Sequence, residues 1–317
     1  EYNDDGILVH KYGPHIFHTN SKQVFDYLSH FTEWIPYEHK VLAKIGEELY
    51  PIPINRLTIN KLYNLNLTTD EEVKNYFDSV KEKRYPILNS EDIIVNQVGY
   101  DLFEKFFKHY TKKQWDLEPK ELSPSVCGRI PVRTNVDCRY FTDKYQFMPK
   151  HGYTKMFELI LSHKNIEVVL NTDYKEIVND IKFDKMIYTG PIDYFFDYQF
   201  GKLPYRSIRF EWETLEVENF QEAAVVNYTE DKYEYTRVTE YKKLTNQKNQ
   251  KTTISREYSS SSDDPFYPVL TNQNKVMYDK YKNESEKFKS ISFLGRLAEY
   301  KYYNMDQVVA KIIKLFN

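Results

Sequence analysis

The chain has 317 residues, of which 41% are hydrophobic and 29% are charged, and its formal net charge is −3, so it predicts roughly two domains with substantial cores. A nearly neutral chain has no overall electrostatic field that attracts nucleic acid or an anionic membrane. No apolar run in the sequence reaches the ~18 residues that a helix needs to span a bilayer. Its two cysteines, Cys127 and Cys138, cannot form a disulfide framework or a metal cluster, which favours a reducing, cytoplasmic location.

The N-terminal stretch contains a turn with two histidines. Residues 1–6 carry neither an initiator Met nor the basic and apolar regions of a signal peptide, so we expect the chain to begin inside a domain. Residues 7–10 predict a short strand that runs into a Gly-Pro turn carrying His15 and His18, and polar residues after it can cap a helix over residues 21–31. The two imidazoles have no further metal ligands nearby, so the sequence favours an organic ligand over zinc.

A helical segment follows two predicted strands. Residues 41–45 and 49–52 have strand composition on either side of a polar turn. Thr69 precedes an acidic first turn, which is typical of a helix N-terminus, and we expect that helix to reach residue 83. Another helix is expected to begin at Ser90. Together these signals predict a helical bundle.

One helix and the loop after it organise the rest of the chain. Four aromatic residues recur at helical spacing on one face of residues 103–115: Phe103, Phe106, Phe107 and Tyr110. Such a stripe alone favours a helix that faces the core. The helix ends at Trp115, however, and a loop punctuated by prolines then carries Arg129 and Arg133. Aromatic rings beside a guanidinium suit a nucleotide, because a base stacks on the ring and a diphosphate accepts the bidentate fork.

The second half of the chain predicts an α/β segment and then an antiparallel sheet. A helix over residues 154–162 and strands over 166–170 and 183–190 follow the α/β pattern, in which ligands bind at the carboxyl ends of strands. The period changes to two over residues 206–258, which predicts antiparallel strands. Arg237 stands on the aromatic face of one of them. Taken alone, it is better explained as a surface residue or an ion-pair partner than as a ligand contact.

The last segment places a strand end beside a helix start. Residues 291–296 predict a strand that ends in Gly295-Arg296, and a helix is expected over residues 306–316. The free N–H groups and positive dipole of a helix start suit a phosphate or the electron-rich edge of a reduced flavin.

Motifs along almost the whole chain resemble one known family. They are Tyr12-Gly-Pro-His-Ile-Phe-His-Thr19, Phe106-Phe107 with Tyr110-Thr111 and Lys113-Gln114-Trp115, Arg129-Ile-Pro-Val-Arg133, Tyr188-Thr-Gly-Pro-Ile-Asp193, and Gly295-Arg296 with Tyr302. In this order, from about residue 8 to residue 314, they resemble bacterial UDP-galactopyranose mutase.

The resemblance implies an isomerase that interconverts UDP-galactopyranose and UDP-galactofuranose, a step of cell-surface polysaccharide biosynthesis. Its cofactor would be FAD, which must be reduced for activity, with NAD(P)H as the reductant. The isomerisation itself would involve no net redox change. Flavin N5 would attack the anomeric carbon to give a flavin–sugar adduct, and the protein would supply position and electrostatics. The implied partner is a UDP-galactose small molecule rather than nucleic acid, and a homodimer is compatible with the resemblance.

Site residues carry over from the family by position. The resemblance assigns catalytic roles to Arg129, Arg237 and His18. It assigns substrate binding to Phe106, Phe107, Tyr110, Thr111, Trp115, Tyr140, Arg206, Tyr267 and Tyr302. It assigns cofactor binding to His15, His18, Gly295, Arg296, Asn304 and Met305, and it implies no metal.

The implied fold is α/β, with an incomplete Rossmann-like FAD-binding domain, an inserted helical-bundle domain and an antiparallel β-sheet domain. The remainder of the FAD-binding domain would comprise residues 1–31, 151–200 and 288–317. The helical substrate domain would comprise residues 58–135, including a mobile Arg129 loop, and the sheet domain would comprise residues 32–57, 136–150 and 201–287. The Gly-x-Gly-x-x-Gly fingerprint that opens family members is absent from the sequence, so we expect an N-terminally truncated member.

Two substitutions also depart from the family pattern. His39 stands where some members carry Asn, and Asn304 stands where some carry Asp. The missing fingerprint leaves two alternatives to the mutase open. One is a truncated, catalytically inactive UDP-sugar-binding remnant, and the other is a flavin oxidoreductase of amine-oxidase type, against which the aromatic and arginine set argues.

Overall fold

The fold comes from a computed structural model, which describes residues 1–262 and 264–316. Its α-helices are α1 (Lys22–Leu28), α2 (Arg56–Tyr63), α3 (Asp70–Val80), α4 (Ser90–Val98), α5 (Tyr100–Phe103), α6 (His109–Trp115), α7 (Pro124–Gly128), α8 (Gly152–Leu161), α9 (Tyr174–Ile177), α10 (Ile192–Phe195), α11 (Asn272–Ser285) and α12 (Met305–Phe316). A π-helical turn (Glu104–Lys108) joins α5 to α6, and 3₁₀ turns cover Pro119–Glu121 and Tyr241–Leu244. Its strands are β1 (Phe17–Thr19), β2 (Trp34–Pro36), β3 (Val41–Ile45), β4 (Glu48–Ile52), β5 (Tyr145–Pro149), β6 (Met186–Tyr188), β7 (Tyr205–Leu215), β8 (Val225–Tyr228), β9 (Arg237–Glu240), β10 (Thr252–Ser260), β11 (Tyr267–Pro268) and β12 (Ile291–Phe293).

The largest sheet has seven strands in the order β11-β7-β10-β9-β8-β3-β4. All neighbours pair antiparallel except β3 and β8, which run parallel. The strands predicted at residues 41–45, 49–52 and 252–258 are confirmed, and the antiparallel prediction holds for every pair within residues 206–258. The sheet thus joins β3 and β4, from early in the chain, to the strand that carries Arg237.

Strand β9 is shorter than the alternation of tyrosines predicts. It begins at Arg237, whereas Tyr233 and Tyr235 lie in the bend before it. The Lys113 ammonium lies 2.6–3.2 Å from four backbone carbonyl oxygens between Tyr228 and Tyr235, and these contacts favour the bend over a longer strand. These contacts gather the carbonyls of the segment between β8 and β9 around one cation. Arg237 therefore lies at the start of a strand, beyond the tyrosines rather than among them.

Helices α2 to α7 pack around one apolar core with β3 and β4. Local capping fixes where they begin: Asn55 and Thr69 cap α2 and α3 with reciprocal capping boxes, and Asn89 caps α4. The helices predicted to start near Thr69 and Ser90 are confirmed. The first ends at Val80, before the predicted residue 83, because the backbone is extended at the next residue.

The aromatic helix is continuous but contains the π-helical turn. Helix α5, this turn and α6 run without a break to Trp115. The aromatic stripe faces inward as predicted, since Phe103, Phe106 and Phe107 are at most 6% exposed. A π-helical turn inserts one extra residue into the helical phase and is frequent at functional sites. The residues that follow it are therefore rotated relative to a regular helix.

Two smaller sheets hold the remaining strands. Strands β1, β5 and β2 form an antiparallel sheet in the order β1-β5-β2, and β6 pairs parallel with β12. The strands predicted at 183–190 and 291–296 and the helices predicted at 21–31, 154–162 and 306–316 are confirmed, with differences only at their ends. No helix within residues 1–262 and 264–316 is long and apolar enough to cross a membrane.

Two strand predictions are wrong. Residues 166–170 form no ladder with any residue that the structure describes, and the apolar side chains there are 44–75% exposed. Apolar composition does not make a strand when no neighbouring strand offers backbone partners. Residues 7–10 are buried, but a single bridge between Tyr2 and Leu8 is their only β-pairing among the described residues. The backbone N–H of Leu8 donates instead to the side-chain oxygen of Gln247, at 2.7 Å.

Candidate active site

A cavity of about 210 Å³ lies between the aromatic helix and the large sheet. It brings together most of the residues that the sequence assigns to substrate and cofactor: Phe106, Phe107, Tyr110, Thr111, Trp115, Arg129, Tyr140, Arg237, Tyr267, Tyr302, His15, His18, Arg296, Asn304 and Met305. The helical segment, the sheet and the C-terminal segment therefore meet at one place.

One part of the cavity has an aromatic and aliphatic wall. Phe106 and Phe107, on the π-helical turn, belong to the same buried cluster as Val41, Ile52 and Val225 of the sheet, and all five residues line the cavity. Aromatic rings of this kind accept the flat face of a base.

Arg129 lies over a tyrosine ring in another part of the cavity. Its guanidinium carbon is 4.4 Å from the centroid of Tyr302, and that of Arg296 is 4.6 Å from the same centroid. Tyr267 stacks on Tyr302, with ring centroids 5.8 Å apart and planes inclined by 11°. Two cations thus share the π-system of one phenol.

The arginines change the acidity of this phenol. Burial by itself raises the pKa of Tyr302, but the charges of Arg129 and Arg296 outweigh burial and lower the pKa below its ordinary value. Burial, reinforced by the neighbouring Tyr302, raises the pKa of Tyr267 to about 12. The Tyr302 hydroxyl is therefore the more acidic of the stacked pair and the stronger hydrogen-bond donor to an anion.

A buried carboxylate anchors Arg237. Its Nε lies 2.8 Å from Oε2 of Glu257, which is 2% exposed, and the Thr239 hydroxyl donates to Oε1 at 3.4 Å. Burial raises the pKa of Glu257, and the adjacent guanidinium offsets part of that rise. With Nε occupied, the two terminal amino groups of Arg237 remain for a ligand in the cavity.

Two histidines of the cavity, His15 and His39, contribute polarity rather than fixed charge. Burial lowers the pKa of His39 to about 3, and its Nδ1 lies 3.1 Å from the Tyr37 hydroxyl. Burial also lowers the pKa of His15, whose Nδ1 lies 2.8 Å from the Gly13 carbonyl oxygen. Nδ1 of His18 lies 2.8 Å from Oδ2 of Asp143. In the part of the chain that the structure describes, no group of three or more His, Cys, Asp or Glu residues could hold a metal ion.

Two residues assigned to the site lie outside the lining of this cavity. Arg206 is 7% exposed, and its Nε donates to the Gln114 carbonyl oxygen at 3.3 Å and to the Ser259 hydroxyl at 3.2 Å. It therefore connects the end of α6, next to Trp115, to β10.

Gly295 follows β12 with a φ of +94°, and a Cβ there would meet nothing within 4 Å. The left-handed conformation, rather than crowding, explains why glycine suits that position.

An apolar groove of about 900 Å³ adjoins the cavity. His15, Arg296, Asn304 and Met305 line both spaces. The rest of the groove is mainly aromatic and aliphatic and includes Phe17, Leu28, Tyr153, Met156, Ile160, Val309 and Ile313. A flat, largely apolar ring system with polar edges fits such a lining.

Sequence reasoning missed three residues of this region. Glu257 lies opposite Arg237 in the register of β10 and β9. An acidic residue inside a predicted sheet strand is a signal in the sequence that could have identified Glu257. Phe141 and Asp143 precede β5 and reach His18 through the pairing of β1 with β5. No local pattern in the sequence predicts that pairing.

Known proteins are similar to this chain along nearly all of its length. The family model described as UDP-galactopyranose mutase matches residues 105–302. A Klebsiella pneumoniae protein named "Probable UDP-galactopyranose mutase" is 36% identical over 312 residues, which cover 97% of this chain and 81% of that protein. The dTDP-fucopyranose mutase of Escherichia coli is also 36% identical, over 318 residues that cover 98% of this chain and 84% of that protein. A crystal structure of reduced UDP-galactopyranose mutase has the same fold, with a TM-score of 0.73 at 15% identity, covering 99% of this chain and 87% of that chain.

Proposed function

The chain belongs to the UDP-galactopyranose mutase family, and on that premise we propose that it interconverts UDP-galactopyranose and UDP-galactofuranose with reduced FAD as its cofactor. The observation that carries the proposal is the meeting of three guanidinium groups at one cavity. Arg129, Arg237 and Arg296 line it, and its lining contains no carboxylate among the residues described. Glu257 neutralises only Arg237, from outside the lining. The remaining positive charge favours an anionic ligand, and a diphosphate matches several guanidinium forks at once.

The aromatic and aliphatic wall supports a nucleotide rather than inorganic phosphate. Phe106 and Phe107 would bind the uracil face, and Tyr110, Thr111 and Trp115 continue the same helix toward the arginines. A base beside a diphosphate is the arrangement of a nucleoside diphosphate sugar. The sugar would then lie toward His18, Arg296 and Asn304, which line the rest of the cavity.

The proposed role of Arg129 and Arg237 is to stabilise UDP when its bond to the sugar breaks. Charge develops on the diphosphate oxygens at that moment, and preorganised cations lower the free energy of that charge. The hydroxyls of Tyr140, Tyr267 and Tyr302 would donate further hydrogen bonds. Because the sugar must rejoin the same UDP, these groups also keep it close for recapture.

The residues present fit a flavin. The apolar groove offers a lining for a flat ring, and His15, Arg296, Asn304 and Met305 connect that groove to the cavity in which the sugar would lie. When bound and reduced, the flavin supplies the nucleophile for the anomeric carbon. We propose that residues 1–31, 151–200 and 288–317 form the part of the FAD-binding domain contained in this chain, and that NAD(P)H is the reductant.

One relative suggests a second candidate substrate. The E. coli protein that matches as well as the Klebsiella protein is named dTDP-fucopyranose mutase. It implies a pyrimidine nucleoside diphosphate and a six-carbon sugar in the same arrangement, and the arginines and aromatic wall suit both. The alternative function is therefore the corresponding isomerisation of dTDP-fucopyranose.

The test is turnover by the purified chain after loading with FAD. UDP-galactofuranose and dTDP-fucofuranose are supplied separately, with flavin either oxidised or reduced by dithionite, and the pyranose products are separated by anion-exchange chromatography. We expect conversion of UDP-galactofuranose with reduced flavin. Faster conversion of the dTDP sugar would favour the alternative substrate. Equal turnover with oxidised and with reduced flavin would contradict the proposed flavin chemistry. Binding of UDP without any turnover would favour an inactive remnant.

A further inference from the structure

Two residues outside the family motifs of this sequence hold the ring of His18 in place. Its Nδ1 lies 2.8 Å from Oδ2 of Asp143. Its face stacks on Phe141, with ring centroids 3.6 Å apart and planes inclined by 13°. Nε2 makes no hydrogen bond with any residue that the structure describes, and His18 lines the cavity. The edge that carries Nε2 is therefore the edge left for a ligand.

Asp143 is itself held in place by its neighbours. Its Oδ1 accepts a hydrogen bond of 2.6 Å from Nδ2 of Asn20, and Oδ1 of Asn20 accepts one of 2.9 Å from the backbone N–H of Lys144. Gln146 donates to the backbone carbonyl of Asp143 at 2.9 Å. Each carboxylate oxygen thus has one partner, and the orientation of the Asn20 amide is set by the backbone.

An ionised carboxylate only accepts hydrogen bonds, so the ring nitrogen that faces Asp143 must carry the proton. In the neutral imidazole the other nitrogen then has a lone pair. We infer that Asp143 is a positioning residue for the proposed mutase: it holds His18 in the Nδ1–H tautomer, and Nε2 accepts a hydrogen bond from an O–H or N–H group of the ligand. The inference deepens the proposed function and rests on it for the identity of that ligand. A sugar hydroxyl and an N–H of the reduced cofactor both have this chemistry.

Asp143→Asn tests the inference because the geometry predicts which way the new amide turns. Asn20 still presents an N–H to the position of Oδ1, and its own orientation remains set by Lys144. The single carbonyl oxygen of the substituted side chain therefore faces Asn20, and its NH₂ faces His18. Nδ1 must then accept, which moves the proton to Nε2. In the double variant with Asn20→Ala the carbonyl is free to turn back, so the Nδ1–H tautomer returns.

The tautomer can be read without any catalysis. Nitrogen-15 NMR of the histidine side chains distinguishes a protonated from an unprotonated ring nitrogen, and His18→Asn identifies the signals of His18 by their loss. We expect the Nδ1–H form in the wild-type chain and in Asp143→Glu, the Nε2–H form in Asp143→Asn, and recovery of Nδ1–H in the double variant. Nε2–H in the wild type, or Nδ1–H retained in Asp143→Asn, would overturn the inference.

Kinetics give the second readout. We expect Asp143→Asn to lower kcat by ~10²-fold with a smaller change in KM, as for loss of a correctly protonated histidine, and the double variant to recover at least part of it. Thr142→Ala, one residue away on the same loop, should change neither the tautomer nor kcat. An unchanged kcat in a variant with the reversed tautomer would also overturn the positioning role.

Ligand additions distinguish the two donors. If a sugar hydroxyl is the donor, the Nε2 resonance of His18 should shift on addition of UDP-galactose but not on addition of UDP. If the cofactor is the donor, the resonance should shift on flavin reduction alone. A shift in neither case would contradict the ligand contact. If the tautomer reverses as predicted while the wild-type chain has no mutase activity, the proposed function fails and the assignment of Asp143 to His18 stands.

Discussion

Nε of Arg237 and Oε2 of Glu257 lie 2.8 Å apart across strands β9 and β10. The carboxylate is almost fully buried, whereas the arginine reaches the cavity. Glu257 therefore fixes the direction of the guanidinium and leaves its terminal amino groups for the ligand. The pair connects the stability of the sheet to the geometry of the site.

Glu257→Gln should lower both stability and activity. Removing one partner of a buried ion pair leaves the other charge uncompensated, which costs about 3–5 kcal/mol, and a less firmly held Arg237 should lower kcat/KM by at least ~10-fold. Urea unfolding and steady-state kinetics measure the two effects. The matched control is Glu213→Gln, which breaks the exposed pair of Glu213 with Arg256 on β7 and β10 and should cost at most about 1 kcal/mol. Equal losses in both variants would show that burial of the Arg237 pair is unimportant.

Arg129→Ala should mainly lower kcat. The guanidinium is proposed to stabilise charge on the leaving diphosphate, and loss of one such group costs ~10²-fold or more. Arg129→Lys keeps the charge but not the planar fork or the stacking on Tyr302, so it should recover only part of the rate. Single-turnover measurements on the reduced enzyme separate chemistry from product release. Near-normal kcat in Arg129→Ala would contradict the assigned role.

Trp115→Phe should remove the fluorescence response to UDP. Trp115 lines the cavity and is 4% exposed, with its ring centroid 6.2 Å from that of Tyr267. The other two tryptophans, Trp34 and Trp212, are not among the residues that line it. We expect UDP to change the emission of the wild-type chain and of Trp34→Phe to the same extent. A response that persists in Trp115→Phe would place the nucleotide elsewhere.

Acid stability should depend on His39. Its pKa is lowered by burial to about 3 in the folded chain, against an ordinary value of 6.5. Between these pH values the unfolded chain binds the extra proton, so stability is fully present above about pH 6.5 and falls toward pH 3, by at most about 1.4 kcal/mol per pH unit for this group. His39→Asn should flatten that part of the profile in urea unfolding. His163→Asn, at an exposed position, serves as the control, and an identical slope in both variants would refute the contribution of His39.

The locally encoded parts of the fold could be read from the sequence. The capping box at Thr69 predicts α3, the strands at 41–45 and 49–52 follow from composition and a tight turn, and the aromatic stripe that includes Phe106 and Phe107 faces inward as its spacing predicts. These features depend on residues within one or two turns of each other, so periodicity and capping suffice. The family could be read as well, because its motifs occur in order along the chain.

Features that depend on distant partners were decided only by the tertiary structure. Lys113 donates hydrogen bonds to carbonyl oxygens of the segment before β9, more than 100 residues away, and no strand among the described residues pairs with residues 166–170. Arg206 lies behind the end of α6, and Asp143 reaches His18 across 125 residues of chain. In each case the outcome depends on which groups the fold brings within hydrogen-bond distance, and sequence spacing carries no information about that distance. The sequence alone determined the residue types of the site and their family, whereas their pairing, orientation and proton positions required the fold.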